Sequence, residues 1–436
     1  MPRDERPPVE HRAEASPVLW RATTDWLFAL EARRGWDLAL ERMQAALGRL
    51  GHPEQRWPCV LIAGTNGKGS TSALTAAALG HAGLKVGLYT SPHLIDLTER
   101  IRIDGRAVSR ERLLDELLRL RTDLDVEGLG LTFFEVTTLA AFAIFAAASV
   151  DVAVLEVGLG GRLDATNVAD PVVAAITSIG FDHEAYLGST QGAIAGEKAG
   201  VMRTGRPVVL GPGLPAEARA VLMARAQELG AVVVEAPVDD GVPPTRLVGR
   251  HMRENAATAF ALLGVLREIG FDLPTTAVVE GFRTVRWPGR FETISEQPAI
   301  VCDGAHNREG AAALAELLAE RDAGRWRLLL SAVADKPWPD VFRRLAPFAS
   351  TIAVAPTGGR RGVPLADLER VAASLRPSRT FPSAAAALDT LAGEAWDGAP
   401  ILVTGSLYLV GDAYAWLAQR QGVERLDDLR LPGDAR

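Results

Sequence analysis

Seven consecutive residues, Gly64-Thr65-Asn66-Gly67-Lys68-Gly69-Ser70, combine three glycines, one lysine and three small polar side chains. Glycines let backbone N–H groups close on phosphate oxygens, and a lysine adds a point charge. The spacing is tighter than the Walker pattern and has an extra glycine after the lysine. A glycine-rich turn can equally be a plain tight connection. The flanks favour phosphate. The apolar run 59–63 reads as a buried strand, and the Ala-rich stretch 70–82 reads as a helix whose N-terminus supplies further donors.

Three more polar groups follow strand-like runs, where α/β sheets place their ligands. Ser91 follows the run 85–89, Glu156 lies near the end of 152–157, and His183 follows 172–179. A carboxylate in an apolar strand needs a partner. A bound cation is one candidate, and a salt bridge to Arg162 is the other. A single histidine is more often structural, and imidazole is an unusual magnesium ligand. A hydroxyl, a carboxylate and an imidazole beside a phosphate loop nonetheless point to Mg²⁺. Lysine is scarce, with only Lys68, Lys85, Lys198 and Lys336 among 47 basic residues. Where it persists, a compact ammonium that can lose its proton offers a use that arginine does not readily serve, although Lys85 reads as an ordinary surface residue.

The elements that would position these groups alternate strand and helix. Helices are expected over 17–32, 37–50, 109–120, 193–202, 216–229 and 249–264, with a hairpin at Asp104-Gly105. The apolar stretch 139–150 is too short to span a bilayer and reads as a buried helix. Trp287-Pro288-Gly289-Arg290-Phe291-Glu292 has no periodicity and reads as a linker. Beyond it a second series begins, with strands over 299–303, 327–333, 351–355 and 401–404. The expected fold is α/β: a phosphate-loop domain with a mostly parallel sheet over 17–286, and a smaller Rossmann-like domain over 298–436. Residues 1–16 form a tail and 287–297 the linker.

Composition narrows the class. A net charge of −7 gives no electrostatic footprint for nucleic acid or an anionic membrane. Cys59 and Cys302 sit in apolar runs, as reduced core thiols do, and the charged, Pro-rich first residues carry no signal-peptide pattern. A cytoplasmic monomer is expected.

Taken in order, the motifs resemble the folylpolyglutamate synthase/dihydrofolate synthase family of the Mur-ligase superfamily. The resemblance rests on Gly64 to Ser70, on Tyr89-Thr90-Ser91-Pro92-His93 with Glu99-Arg100-Ile101, and on the block from Glu156 to Asn167. Asp182-His183, Glu197-Lys198, Asp303-Gly304-Ala305-His306-Asn307 and Thr404-Gly405-Ser406 continue it. It implies an ATP-dependent ligase that adds L-glutamate to a folate or to dihydropteroate through an acyl phosphate. Thr65, Asn66, Gly67, Lys68, Gly69 and Ser70 would hold ATP phosphates, with Asn255, Arg290 and Asp303 contacting the nucleotide. Ser91, Glu156 and His183 match the family's Mg²⁺ ligands, and Lys198 matches a lysine that is often carbamylated beside a second metal. Lys68, Glu156, His183 and Lys198 would be the catalytic set. Thr132, Phe133, Phe134, Glu135, Leu163, Asp164 and Ala165 would line a pterin pocket, and His306 and Ser406 would meet the glutamate.

The chain departs from the family pattern at Met252, where glutamine is common, and at Asp335-Lys336-Pro337. The loop over 31–37 is short, which bears on dihydropteroate as an acceptor. Two rivals differ in class. A cell-wall or cyanophycin-type ligase would usually bring a further N-terminal domain. A non-catalytic nucleotide-binding regulator would be expected to lose Glu156, His183 or Lys198.

Overall fold

The computed structural model describes residues 16–34, 39–237, 241–321, 326–358, 361–394 and 398–432. The expected tail thus falls outside the described residues up to residue 15, as do residues 35–37 of the short loop.

Two sheets carry the chain. The first runs in the order β4-β3-β2-β5-β1-β6-β7-β8. Its strands are β1 (Cys59–Ala63), β2 (Val86–Tyr89), β3 (Ile101–Ile103), β4 (Arg106–Ala107), β5 (Val152–Glu156), β6 (Val173–Ile176), β7 (Pro207–Leu210) and β8 (Val232–Glu235). All neighbours pair in parallel except β2–β3 and β3–β4. The β3–β4 hairpin turns through Asp104 and Gly105, both at positive φ (51° and 79°).

β1 shows why a central parallel strand reads as an unbroken apolar run. Val60 and Ile62 enter one core, while Cys59, Leu61 and Ala63 enter the other. Helix Phe133–Ala148 packs in the second of these cores and helix Lys68–His81 in the first. Phe133–Ala148 starts earlier than its apolar stretch suggests because Thr132 and Glu135 form a capping box at its N-terminus.

The second sheet runs β13-β12-β11-β14-β10-β9. Its strands are β9 (Glu292–Glu296), β10 (Ala299–Cys302), β11 (Trp326–Leu330), β12 (Ala349–Val354), β13 (Ser378–Thr380) and β14 (Ile401–Thr404). Only β9 is antiparallel to its neighbour. β9 occupies part of the stretch read as a linker, so the second sheet begins before residue 298. Its Glu-Thr-Ile-Ser-Glu sequence buries one residue, Ile294, and an edge strand of that kind has little apolar signal. Both cysteines are free and buried, one in each sheet. No helix among the described residues is long and apolar enough to cross a membrane.

Candidate functional site

The order of the first sheet sets β2, β5, β1 and β6 side by side, so the loops leaving their C-terminal ends converge. Backbone sterics fix the phosphate loop. A Cβ on Gly64 would lie 1.9 Å from Thr177 Oγ1, and one on Gly67 would lie 2.1 Å from Asn255 Oδ1. The loop is tied to the β6 end: Thr65 N donates to Ser178 O (2.8 Å) and Asn66 N to Ser178 Oγ (2.9 Å). Two expected phosphate donors are therefore engaged, and the first-turn amides of Lys68, Gly69 and Ser70 have no intrahelical acceptor. Among the described residues, Ser70 Oγ is buried without a hydrogen-bond partner.

Two lysines converge on one carbonyl. Lys68 Nζ and Lys198 Nζ each donate to Gly64 O at 3.0 Å. Burial lowers both pKa values, that of Lys198 to about 7, and Lys68 adds to the depression at Lys198. The Lys198 amine is therefore substantially unprotonated near neutrality.

Glu156 is 4% exposed and accepts a hydrogen bond from Ser91 N at 3.0 Å. Burial raises its pKa; the Lys68 charge, the Ser91 N–H and the Arg290 charge pull it back. Arg162 does not pair with it but turns to Glu197 (2.9 Å), which removes the salt-bridge alternative. Ser91, Glu156, Gly69, Trp287, Arg290 and Leu407 line one cleft between the two domains.

His183 is engaged elsewhere. It stands at φ 53°, before the one-turn helix Glu184–Leu187, with Nε2 3.1 Å from Lys336 Nζ of the second domain. Lys336 also pairs with Asp182 at 2.6 Å. Burial alone would raise Asp182, but Lys336 and His183 hold its carboxyl well below the usual range. Burial pushes His183 down to about 4, so it is neutral near pH 7 and able to ligate. Among the described residues, no group of three or more His, Cys, Asp or Glu side chains is placed to hold a metal ion. The donors that fit a divalent cation are instead mixed: the buried Glu156 carboxylate, Ser91 and the orphaned Ser70 hydroxyl.

The second domain meets this edge along a polar seam. Asn307 Nδ2 donates to Asn66 Oδ1 (3.0 Å), and Phe181 N donates to Glu309 Oε1 (2.9 Å). Asp303 accepts from Phe291 N (3.0 Å) and Ala305 N (2.9 Å), so both oxygens hold backbone. His306 donates from Nδ1 to Gly304 O (2.7 Å), and Ser406 caps helix Leu407–Gln421.

The linker is fastened to the second domain. Tyr414 Oη accepts from Gly289 N (2.9 Å) and donates to Glu292, and Gly304 N donates to Gly289 O (2.9 Å). Gly289 (φ 73°) and Phe291 (φ 50°) flank Arg290, so the arginine is presented by a held turn. Trp287, two residues earlier, packs on Gly69 of the phosphate-loop helix.

The expected pterin residues divide. Phe133 stacks on Phe28 (5.4 Å, 13°), and Phe134 lies 5.9 Å from Tyr89. Thr132 and Glu135 are occupied as a helix cap, and Glu135 also pairs with Arg42 at 3.2 Å. Asp164 caps the turn Ala165–Val168, Ala165 is in the core, and Leu163 is half-buried. Asn255 donates to Met252 Sδ at 3.6 Å, so the departure at 252 changes what holds this amide. Tyr414 went unread because it carries no local signal; Lys336 stood out as a scarce lysine in the Asp335-Lys336-Pro337 stretch but was given no site role, because its partners are distant in sequence.

Comparison with known proteins follows the same division. The Mur ligase middle domain matches residues 62–204, and the Mur ligase glutamate ligase domain matches 289–407. A dihydrofolate synthase/folylpolyglutamate synthase of Bacillus subtilis is 35% identical, over 86% of this chain and 93% of its own length. A probable bifunctional folylpolyglutamate synthase/dihydropteroate synthase of Haloferax volcanii is also 35% identical, and the chain spans 48% of its length. E. coli FolC in complex with DHPP and ADP superposes with a TM-score of 0.82 at 33% identity, covering 94% of this chain and all of the other. A Yersinia pestis bifunctional folylpolyglutamate synthase/dihydrofolate synthase complexed with AMPPNP and Mn superposes at 0.80 and 34% identity, covering 93% and 99%.

Proposed function

The chain belongs to the dihydrofolate synthase/folylpolyglutamate synthase family of Mur ligases, and on that premise we propose that it joins L-glutamate to a pterin acid at the expense of ATP. The acceptors are a reduced folate and dihydropteroate. The observation that carries this reading is Glu156: a buried carboxylate in a cleft beside the phosphate loop, with Lys68 and Arg290 opposing its charge and, among the described residues, no arginine paired to it.

In the first step an acceptor carboxylate oxygen attacks the γ-phosphorus of ATP, and ADP departs. The phosphate loop and Lys68 hold the β- and γ-phosphates, and Arg290 approaches from the second domain. A divalent cation at Glu156, Ser91 and Ser70, with His183 as the expected further ligand, would neutralise charge on the phosphate oxygens. In the second step the glutamate amine attacks the acyl carbon, phosphate leaves, and the amide remains after loss of one proton. His306 and Ser406 stand on the glutamate side. Water would destroy the acyl phosphate, and the seam through Asn66, Asn307, Asp182 and Lys336 keeps the two domains closed over it.

The unprotonated Lys198 amine is suited to take up carbon dioxide as a carbamate, which would place an anion beside the phosphate loop. The reading is of an enzyme that acts in the cytoplasm as a monomer. The test is phosphate release from ATP with Mg²⁺ and L-glutamate, using 7,8-dihydropteroate or a reduced folate as acceptor. Turnover with both is expected. Silence with both, alongside turnover of a muramyl peptide, would overturn the reading.

A further inference from the structure

Glu99 lies in the turn Leu97–Arg100 and lines the same cleft as Ser91 and Glu156. It is 7% exposed, and a carboxylate so far out of water is costly unless its charge is met. Among the described residues it has no ion pair. Burial raises its pKa; backbone N–H groups and then the Arg102 charge oppose this, but Arg102 itself pairs with Asp427 at 2.8 Å. Backbone is what meets the charge. Leu94 N donates to Oε2 at 2.7 Å, and Ile95 N and Asp96 N donate to Oε1 at 2.8 and 2.7 Å. Three N–H groups on one side chain call for a carboxylate, because a glutamine would set its own NH₂ donor against one of them.

The three residues that Glu99 holds end the loop that leaves β2. Residues 90–96 belong to no strand or helix, so their path depends on what they are tied to. The same turn ties the rest of the loop: Thr90 N donates to Arg100 O at 3.0 Å, and Arg100 Nε donates to His93 Nδ1 at 2.9 Å. Ser91 and Pro92 bridge these ties, and Ser91 N is the donor that Glu156 accepts at 3.0 Å. Bonds to an ionised acceptor are the strong ones, and in this clasp Glu99 makes all of them. A loop released from Glu99 would carry Ser91 away from Glu156 and leave that buried carboxylate without its N–H.

We propose that Glu99 is a positioning residue of the cation site, holding residues 94–96 so that Ser91 stays against Glu156 where a divalent cation binds. The role rests on the reading that Ser91 and Glu156 hold that cation. It is tested by calorimetric titration of the full-length protein with ADP, once in excess Mn²⁺ and once in EDTA. The wild type should bind ADP more tightly with Mn²⁺. Glu99→Gln should cut that gain at least about tenfold and leave the affinity in EDTA within about threefold, the scale for freeing a metal ligand from its outer support. Glu99→Asp keeps the charge with a shorter reach, so it should lose less, and it carries the test where Glu99→Gln does not fold. Ser91→Ala should lose a share similar to Glu99→Gln, and the double variant little more than either, since both act through one residue. Arg110→Ala removes the 2.8 Å ion pair of Asp96 in the same turn without touching the Glu99 bonds. It should lower the melting temperature and leave the Mn²⁺ gain in place. A full gain in both Glu99 variants, losses that multiply in the double variant, or an equal loss in Arg110→Ala would each overturn the positioning role. A wild type with no gain from Mn²⁺, or a gain that Ser91→Ala leaves whole, would overturn the cation reading, and this role with it.

Discussion

The C-terminal edges of the two sheets carry similar polar residues and use them differently. At the first edge, groups are left unspent: Glu156 holds one backbone N–H, Ser70 Oγ has no partner among the described residues, and Lys198 has lost much of its charge to burial. At the second, Asp303, Asn307 and Ser406 serve the backbone as turn and cap acceptors, and the side chains that lack a partner among the described residues are two neutral hydroxyls, Ser331 Oγ and Thr357 Oγ1. Leaving buried polar groups unsatisfied is destabilising, so a fold tolerates it where a ligand completes them. The proposed phosphate chemistry is assigned to the first edge because, among the described residues, the buried carboxylate and amine without ion-pair partners are there. The second contributes by reaching across, through Lys336 and Arg290.

The harshest way to break this contrast is Glu156→Gln, which keeps shape and removes charge. Phosphate release should fall by about 10³-fold, the scale of losing one preorganised electrostatic group. If Asp303→Asn were the more damaging change, the contrast would be inverted. Lys336→Ala comes next. It leaves Asp182 without its cation in a part-buried seam, and kcat/KM should fall about 100-fold. Limited proteolysis near residues 285–288 should speed up as the domains part; unchanged cleavage with full activity would mean the seam closes nothing.

Lys198 gives a smaller, pH-dependent effect. With a pKa of about 7, its free amine grows about tenfold between pH 6 and pH 8, and bicarbonate should stimulate activity in the same direction. The sign for stability follows from protons bound. An unfolded lysine stays protonated to about pH 10.4, so between about 7 and there the unfolded chain binds more protons, and stability from this group rises with pH. A thermal melt series in which Lys198→Met shows the same pH slope as wild type would refute this. The mildest change, Tyr414→Phe, keeps the packing and loses two hydrogen bonds around Gly289. The KM for ATP should rise about fivefold with little change in kcat. An effect that persists undiminished in an Arg290→Ala background would separate Tyr414 from the arginine.

The first edge was largely legible because its evidence is local. The phosphate loop announces itself through glycine spacing, and Glu156 through its place in an apolar strand. The second edge was less legible. β9 has one buried residue in five, so its place in the sheet comes from pairing with β10 and not from periodicity. Lys336 lies 154 positions from Asp182, and no spacing rule reaches that far. Thr132 and Glu135 were expected in a pterin pocket from the family resemblance, and their three-residue spacing is also the signature of the capping box they form.

The held turn at Gly289 to Phe291 has a consequence for how the halves find one another. With Trp287 against the phosphate-loop helix and Gly289 bound to Tyr414, Pro288 is the single residue between the two anchorages. A tether this short keeps Arg290 at an effective concentration of at least the millimolar order near the site, whether the cleft is open or shut. Reclosure is then a rotation about one point and requires no diffusive search. The enzyme can release its product at every turnover without losing the alignment that the next turnover needs.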